Sequence, residues 1–325
     1  MTAPRRQSLA LLRRVLPWVV TAGLLFLIFR RISIEQLVAA TRTSAWWAIP
    51  ACAASVAGIF LADSFAIWKT FGWFLAPLTY GQVLVVRGAT YLLAAINYNV
   101  GQGAMVYFVH RAKGTTIMRG VATLLLVMGI NVVALILLAT LGFAIAPDIP
   151  RVVRVVVLVA YAGLAFYAVV VAVKPRWLAA RPLFDVLLGA GLGGHLKALA
   201  VRLPHIATLV AFQTSVLHAF GVAVPVAQAI VLLPVVFFIA VLPISVQGLG
   251  TTQAAMVFFF GRYAPGDATA QAAAVVAASL FSQMVATTLQ TLLGLACLRS
   301  RVGQELRQAA AASAAGAANP GPSAG

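Results

Sequence analysis

Residues 243–262 read PISVQGLGTTQAAMVFFFGR, and the reading of that stretch decides the fold. It lies among apolar runs and still carries a proline, glycines, glutamines and hydroxyl side chains. A plain membrane helix has no use for this mixture, because in hydrocarbon every broken backbone hydrogen bond must be satisfied by protein or trapped water. The chain must therefore break here inside a protein cavity. Gly248 and Gly250 permit left-handed backbone angles, and Thr251 or Thr252 then caps a short helix running to Arg262. From Thr252 to Arg262 such a helix rises about 16 Å, roughly half a hydrocarbon core. That is the length of a re-entrant half-helix.

The chain does this twice. AMVYFVHR at 104–111 aligns with AMVFFFGR at 255–262, a constant 151 residues apart, with five of eight positions identical. The same offset sets Gln102 on Gln253, Asn97 on Gly248 and Asn99 on Gly250. After glycine, asparagine best tolerates a left-handed backbone, so INYNVGQ and QGLGTTQ make similar breaks with different letters.

Composition fixes the class around these breaks. Of 325 residues 62% are hydrophobic and 9% charged, and the mean hydropathy is +1.01. Soluble domains carry about a quarter charged residues, so this is an all-α polytopic membrane protein. A net charge of +17 in a soluble protein would point to nucleic acid. Here the basic residues sit between apolar runs, where topology and anionic lipid head groups account for them, and no nucleic-acid partner is expected. Cys52 and Cys297 both fall inside predicted spans, which indicates neither a disulfide framework nor a thiolate metal site.

In chain order, residues 1–14 form a basic cytoplasmic N-terminus with Arg5, Arg6, Arg13 and Arg14. The apolar run 15–29 resembles a signal sequence. No small-residue cleavage site follows it and Arg30 and Arg31 come at once, so an uncleaved first span is expected. Residues 32–44 are interfacial. Trp46 and Trp47 open a second span that runs to Trp68 and ends at Lys69. The first broken segment, 83–111, has NYNVGQG between its two arms. Spans at 118–146 and 152–173 follow, then a basic cytoplasmic loop at 174–202 with Lys174, Arg176, Arg181, Lys197 and Arg202. A span at 206–222, the second broken segment at 226–262 and a last span at 269–298 complete the membrane domain, 15–298. Residues 299–325, rich in Ala, Gly, Pro and Ser, read as a disordered cytoplasmic tail.

Taking both broken segments as hairpins that enter and leave on one side puts sixteen basic residues inside and six outside, with Arg87 in the first hairpin. Treating either as a full crossing would place the long basic loop or the C-terminal arginines outside. The expected architecture is thus six full spans plus two re-entrant helical hairpins, in two repeats of opposite direction at about 45–146 and 203–298. Inverted repeats of this kind let transporters hold a substrate at the midplane between discontinuous helices.

PISVQGLGTTQAAMV closely resembles the Pro-Ile-Ser, Gly-Leu-Gly signature of the flippase-like family, the transmembrane part of lysylphosphatidylglycerol synthases and their stand-alone relatives. The resemblance spans most of the membrane chain, about 9–298, and only the two hairpin tips are specific. It implies movement of a lipid between leaflets, often one with an amino-acid-modified or sugar-phosphate head group. Bifunctional members of the family add a soluble domain that aminoacylates the lipid. With the chain ending at Gly325, a stand-alone member without enzymatic activity is expected. The family shows a Gly-Glu pair at the first tip and an acidic residue after the Gly-Leu-Gly at the second, where this chain has Gly101-Gln102 and Gln253. Glutamine keeps donors and acceptors but does not titrate, which puts proton coupling there in doubt and favours an uncharged or anionic head group.

The half-helix starts near Gln102 and Thr252 would aim backbone N–H groups and positive dipole ends at the membrane interior, where a lipid phosphate is stabilised; packing of each tip against the other repeat is the plainer account. The expected substrate-binding residues are Arg87, Asn97, Asn99, Gly101, Gln102 and Arg111 on the first side and Ser245, Gln247, Gly248, Gly250, Thr251, Thr252, Gln253 and Arg262 on the second. Arg111 and Arg262 also read as snorkelling helix C-caps. Arg87 reads either as a phosphate ligand or as an interfacial anchor or partner of Asp63, and Asp63 either as a proton relay or as one member of an ion pair. Asn131 and His218 read as interhelical hydrogen-bond partners. His110, His195 and His205 fall at membrane edges or in the basic loop. GAGLGG at 189–194 matches a dinucleotide pattern without a strand before it and reads as a flexible turn.

No catalytic residue, metal or cofactor is expected. The partners expected are a phospholipid or a polyprenyl or glycolipid substrate and the membrane itself, with a homo-oligomer or a lipid-synthesis enzyme left open. The location expected is a prokaryotic cytoplasmic membrane with both termini inside. Two other readings stand beside lipid transport. One is an intramembrane head-group-modifying enzyme, which would need Asp63 and His218. The other is a non-transporting scaffold for a cell-envelope lipid synthase.

Overall fold

An apolar chain in hydrocarbon must satisfy its backbone within each segment, and a helix does so without a partner. The computed structural model describes residues 19–20, 22–27, 29–30, 33–42, 44, 46–96, 98–145, 149–241, 245 and 248–300, and holds no strand among them. The elements are α1 (Ile34–Arg42), α2 (Ala48–Phe74), α3 (Tyr80–Ile96), α4 (Tyr98–Lys113), α5 (Ile117–Ile145), α6 (Arg151–Val173), α7 (Arg176–Ala179), α8 (Pro182–Ala219), α9 (Val226–Val241), α10 (Thr251–Phe260) and α11 (Ala268–Arg299), with a 3-10 turn at Gly261–Tyr263. Among the described residues five helices, α2, α5, α6, α8 and α11, are long and apolar enough to cross a membrane. The protein is an all-α polytopic membrane protein. The basic segment 1–14, residues 15–18, 21 and 28 of the expected first span and the tail from 301 onward lie outside the described residues.

α6 is apolar on every side and leaves Leu158, Val159, Phe166 and Val173 exposed. In water that would be an aggregation surface; in a bilayer it is a lipid-facing wall. α1 is different. Ser33 and Gln36 cap its start reciprocally, Oε1 of Gln36 accepting from the Ser33 N–H at 2.9 Å and Oγ of Ser33 accepting from the Gln36 N–H at 3.2 Å.

By internal packing the chain divides into two units. One takes Met1–Ser55, Leu135–Leu158 and Leu209–Ala286 and contains α1, α9 and α10; the other takes Val56–Ala134, Val159–Thr208 and Thr287–Gly325 and contains α3, α4 and α7. The five long helices contribute residues to both.

In the second of these units, α3 and α4 fold back on each other around residue 97. Val83 and Val86 of α3 share a buried cluster with Met105, Val106 and Val109 of α4, together with Ile67 and Phe71 of α2 and Leu124 and Val127 of α5. At the bend Gly101 has no room for a side chain: a Cβ there would lie 2.7 Å from that of Ala94. The pair also closes at its base. Nε of Arg119, at the start of α5, donates to the Phe74 carbonyl at the end of α2 at 3.1 Å. Trp68 Nε1 donates to the Leu78 carbonyl just before α3 at 2.8 Å.

In the first unit α9 and α10 likewise pack on each other. Their base closes through the backbone, the Ala223 N–H before α9 donating to the Tyr263 carbonyl after α10 at 3.0 Å. Phe220 stacks at 5.2 Å on Phe281 of α11, and Val257 of α10 and Leu37 of α1 pack on Ala273 and Val276 of α11.

The region 174–202 departs from the sequence expectation. In place of a loop it contains the one-turn α7 and the first half of α8, which runs to Ala219 as two helical stretches joined across a kink at Gly191. Lys and Arg are good helix formers, so a basic composition does not separate a loop from a helix. The glycine cluster 189–194 holds the kink between these two helical stretches. Only Gly191 leaves helical angles, at φ 57 and ψ 179, a conformation that L residues hardly adopt.

Candidate functional site

Two sets of polar residues sit among the apolar helices, one in each unit. The first lies at the start of α10. Gly248 and Gly250 adopt φ of 74 and 83, which turns the chain out of α9 and into α10. The expectation that a threonine side chain caps this helix is corrected. Gly250 is the N-cap, and its N–H is satisfied by Oε1 of Gln253 at 2.7 Å, the returning half of a capping box. Thr251 instead donates from Oγ1 to the Gly248 carbonyl at 3.0 Å, and shares a 2.8 Å hydrogen bond with Oγ of the buried Ser245. Gln253 is fully buried, and its Nε2 donates at 3.3 Å to Oγ of Ser279 and to Oε1 of Gln283, both on α11. One amide thus fixes the start of α10 and ties it to α11. Thr252 is half-buried beside Gly248, and Gln247 lies outside the described residues. At the far end Arg262 is exposed, donating from Nη2 to the Tyr263 hydroxyl at 2.6 Å with its guanidinium carbon 4.8 Å from that ring.

The corresponding break in the other unit is less fully described. Asn97 lies outside the described residues, and Asn99 is in the first turn of α4 with its side chain outside them. Gly101 and Gln102 are buried. Arg111 is half-buried, its guanidinium carbon 5.9 Å from the Tyr107 ring.

The second polar set is ionic and centres on Asp63 of α2. Its Oδ2 accepts from Nε of Arg87 on α3 at 2.5 Å, and its Oδ1 accepts from Nη1 of Arg202 on α8 at 2.5 Å. Nε of Arg202 donates in turn to Oδ1 of Asn131 on α5 at 3.0 Å. His205, one turn beyond Arg202, puts Nε2 3.9 Å from Oδ1 of Asp63 and turns Nδ1 toward the Ile59 carbonyl at 3.4 Å. The Arg87 guanidinium carbon lies 5.1 Å from the ring of Tyr91, which itself stacks on Phe60 at 5.7 Å. Four helices meet through these groups.

Of the readings open for Arg87, the structure shows the pairing with Asp63. Arg202 and His205 are corrections: both were expected in or beside a solvated loop, and both are buried inside α8. Their burial follows from the helical periodicity of α8, which turns them to the side that faces α2. A signal for Arg202 was present, since a basic residue four positions before the predicted span at 206 lies within one helical turn of it. Asn131 is an interhelical hydrogen-bond partner through Arg202. His218 donates from Nε2 to the Val224 carbonyl at 2.7 Å, closing the turn after α8.

A cavity of about 490 Å³ opens at the base of the α3/α4 pair, lined by Leu75, Thr115, Thr116, Arg119, Pro182 and Asp185 among others. It contains none of the expected binding residues.

No protein-family model and no curated protein matches this chain.

Proposed function

We propose that the protein moves a phosphate-bearing lipid, or a lipid-linked head group, between the leaflets of a prokaryotic cytoplasmic membrane, with both termini on the cytoplasmic side. The observation that carries this reading is the closure of both broken pairs at their bases, Arg119 to Phe74 in one unit and Ala223 to Tyr263 in the other. A helical pair whose entry and exit are hydrogen-bonded together returns to the level where it started. In a membrane such a pair is re-entrant, and its polar bend is held within the apolar layer. Discontinuous helices of this kind hold substrates in secondary transporters, and alternating access then follows from rocking of one repeat on the other. The resemblance of residues 243–257 to the flippase-like signature supports the same substrate class.

The test is a leaflet assay. Purified protein is reconstituted into liposomes with phosphatidylglycerol carrying a fluorophore on its head group, and an impermeant reductant is added outside. Transport predicts bleaching beyond the outer-leaflet share, and its reduction in Gly248→Val, which fills the bend of the second pair. Bleaching that stops at the outer-leaflet share in both proteins removes the transport reading and leaves the scaffold.

A further inference from the structure

The cavity at the base of the α3/α4 pair has one basic and one acidic residue in its lining, Arg119 and Asp185. They do not pair with each other; among the described residues every ion pair converges on Asp63. Arg119 is held by its Nε, which donates to the Phe74 carbonyl, and its two terminal nitrogens have no partner among the described residues. The carboxylate of Asp185, in the first turn of α8, has none there either. In the same lining the hydroxyl of Thr115 is buried without a hydrogen bond, whereas that of Thr116 is occupied by the Arg119 N–H.

The flanks of the cavity set its level in a bilayer. Trp73, two residues before the lining residue Leu75, and Trp177, two before Ala179, are both exposed, as are Ile117 and Met118 at the start of α5. Exposed tryptophans mark the head-group layer, and exposed apolar side chains beside them meet acyl chains. The volume of about 490 Å³ lies within the range of about 300–1,000 Å³ usual for ligand pockets. Two unpaired charges alone would be an ordinary wet surface; a buried hydroxyl left without a partner in the same cavity calls for an occupant.

We propose that this cavity binds a group carrying both a phosphate and a primary ammonium, of the phosphoethanolamine type, with Arg119 and the Thr115 hydroxyl on the phosphate and Asp185 on the ammonium. Guanidinium and hydroxyl donate to phosphate oxygens, and a carboxylate accepts from an ammonium. A purely anionic group would meet the Asp185 carboxylate and a purely cationic one the Arg119 guanidinium, so the two charges select a molecule that holds both signs. The source is the head group of a membrane lipid or free phosphoethanolamine. None of the residues expected to bind a transported lipid lines the cavity, so the site does not rest on the transport reading.

The experiment measures binding to the purified full-length chain. Wild type, Asp185→Asn, Asp185→Lys and Arg119→Gln in non-ionic detergent are titrated with phosphatidylethanolamine or phosphatidylglycerol of matched acyl chains, and native mass spectrometry counts the adducts. The wild type is expected to hold one phosphatidylethanolamine about tenfold tighter than phosphatidylglycerol, the difference one charge-assisted hydrogen bond makes. Asp185→Asn loses that preference, Asp185→Lys reverses it, and Arg119→Gln weakens both lipids. Asp185 is exposed and its side chain bonds to nothing among the described residues, so its variants carry the test even where Arg119→Gln, which gives up the bond to Phe74, fails to fold. Free phosphoethanolamine displacing the lipid at equal concentration identifies the soluble compound as the ligand and supports the site; no displacement, with the lipid preference intact, assigns the site to the lipid. Equal affinity of the wild type for the two lipids, or a phosphatidylethanolamine preference kept in Asp185→Asn, overturns the proposal. Neither result bears on leaflet transfer, and a failed leaflet assay leaves these affinities as they are.

Discussion

Asp63 gives four helices a common point, through two guanidiniums and, by way of Arg202, the amide of Asn131. Breaking a buried ion pair by removing one member costs about 3–5 kcal/mol, because a charge is left without its partner. Asp63→Asn keeps the shape and leaves two cations facing one neutral amide. The expected outcome is destabilisation of about that size, measured as the shift of an unfolding midpoint in mixed micelles. A midpoint within experimental error of the wild type would show that the cluster is wet and weakly coupled. Half of this arrangement was legible in the sequence. Asp63 and Arg87 stand out as rare ions within apolar runs, and rarity inside a membrane is itself a signal. The signal for Arg202, its nearness to the predicted span at 206, was outweighed by four other basic residues between 174 and 202 that set its context and made it look solvated. Gln253 was visible as a polar residue at a tip, but its roles in capping Gly250 and reaching Ser279 depend on a tertiary neighbour and on a rotamer that no spacing rule supplies.

Among the elements, α8 shows where local rules succeed and where they fail. The glycine at 191 does break helical angles, as glycine-rich sequence suggests, and two helical stretches meet there across a kink. Side chains reinforce the kink. His195 Nδ1 donates to the Gly191 carbonyl at 2.6 Å, and its Nε2 shares a 2.8 Å hydrogen bond with the Tyr167 hydroxyl of α6. With φ positive and ψ near 180, Gly191→Ala forces a side chain into a region reserved for glycine, at about 1–3 kcal/mol. The expected outcome is a melting temperature lowered by that strain. Tyr167→Phe should give a smaller loss, of about 1 kcal/mol, since it removes one hydrogen bond and leaves the backbone alone. If Gly191→Ala were neutral, the helix would have straightened, and the His195 bond to residue 191 would be lost in a structure of the variant. The broken pairs were the easier elements to read. Asparagines sit at the first bend and glycines at the second, and nothing else in an apolar run explains them. The cap of α10 was misassigned because threonine has the stronger statistical preference at that position, and a glutamine three residues later overrode it.

At the scale of the molecule, charge and closure give independent accounts of the same topology. The positive-inside count favours hairpins because a crossing at either break would strand basic residues on the outer face. The basal hydrogen bonds favour hairpins because residues 74 and 119, and residues 223 and 263, are too close to sit on opposite faces of a layer about 30 Å thick. The reassignment of 174–202 to helix moves Arg202 out of the inner tally but leaves Lys174, Arg176 and Arg181 around α7, before α8 begins. This agreement makes a prediction that neither account makes alone. In a background lacking Cys52 and Cys297, single cysteines at Thr79 and at Thr116, the two ends of the α3/α4 pair, should react with an impermeant maleimide from the same side of intact vesicles. Cysteines at Ala223 and Ala264, the two ends of the α9/α10 pair, should also agree with each other, and the proposed transport reading, whose repeats run in opposite directions, expects them on the opposite side from the first two. Labelling of Thr79 and Thr116 from different sides would make the first pair a crossing and leave the basal bond from Arg119 to Phe74 unexplained. All four positions labelling from one side would keep the hairpins and remove the inversion, and alternating access would then need a different moving part.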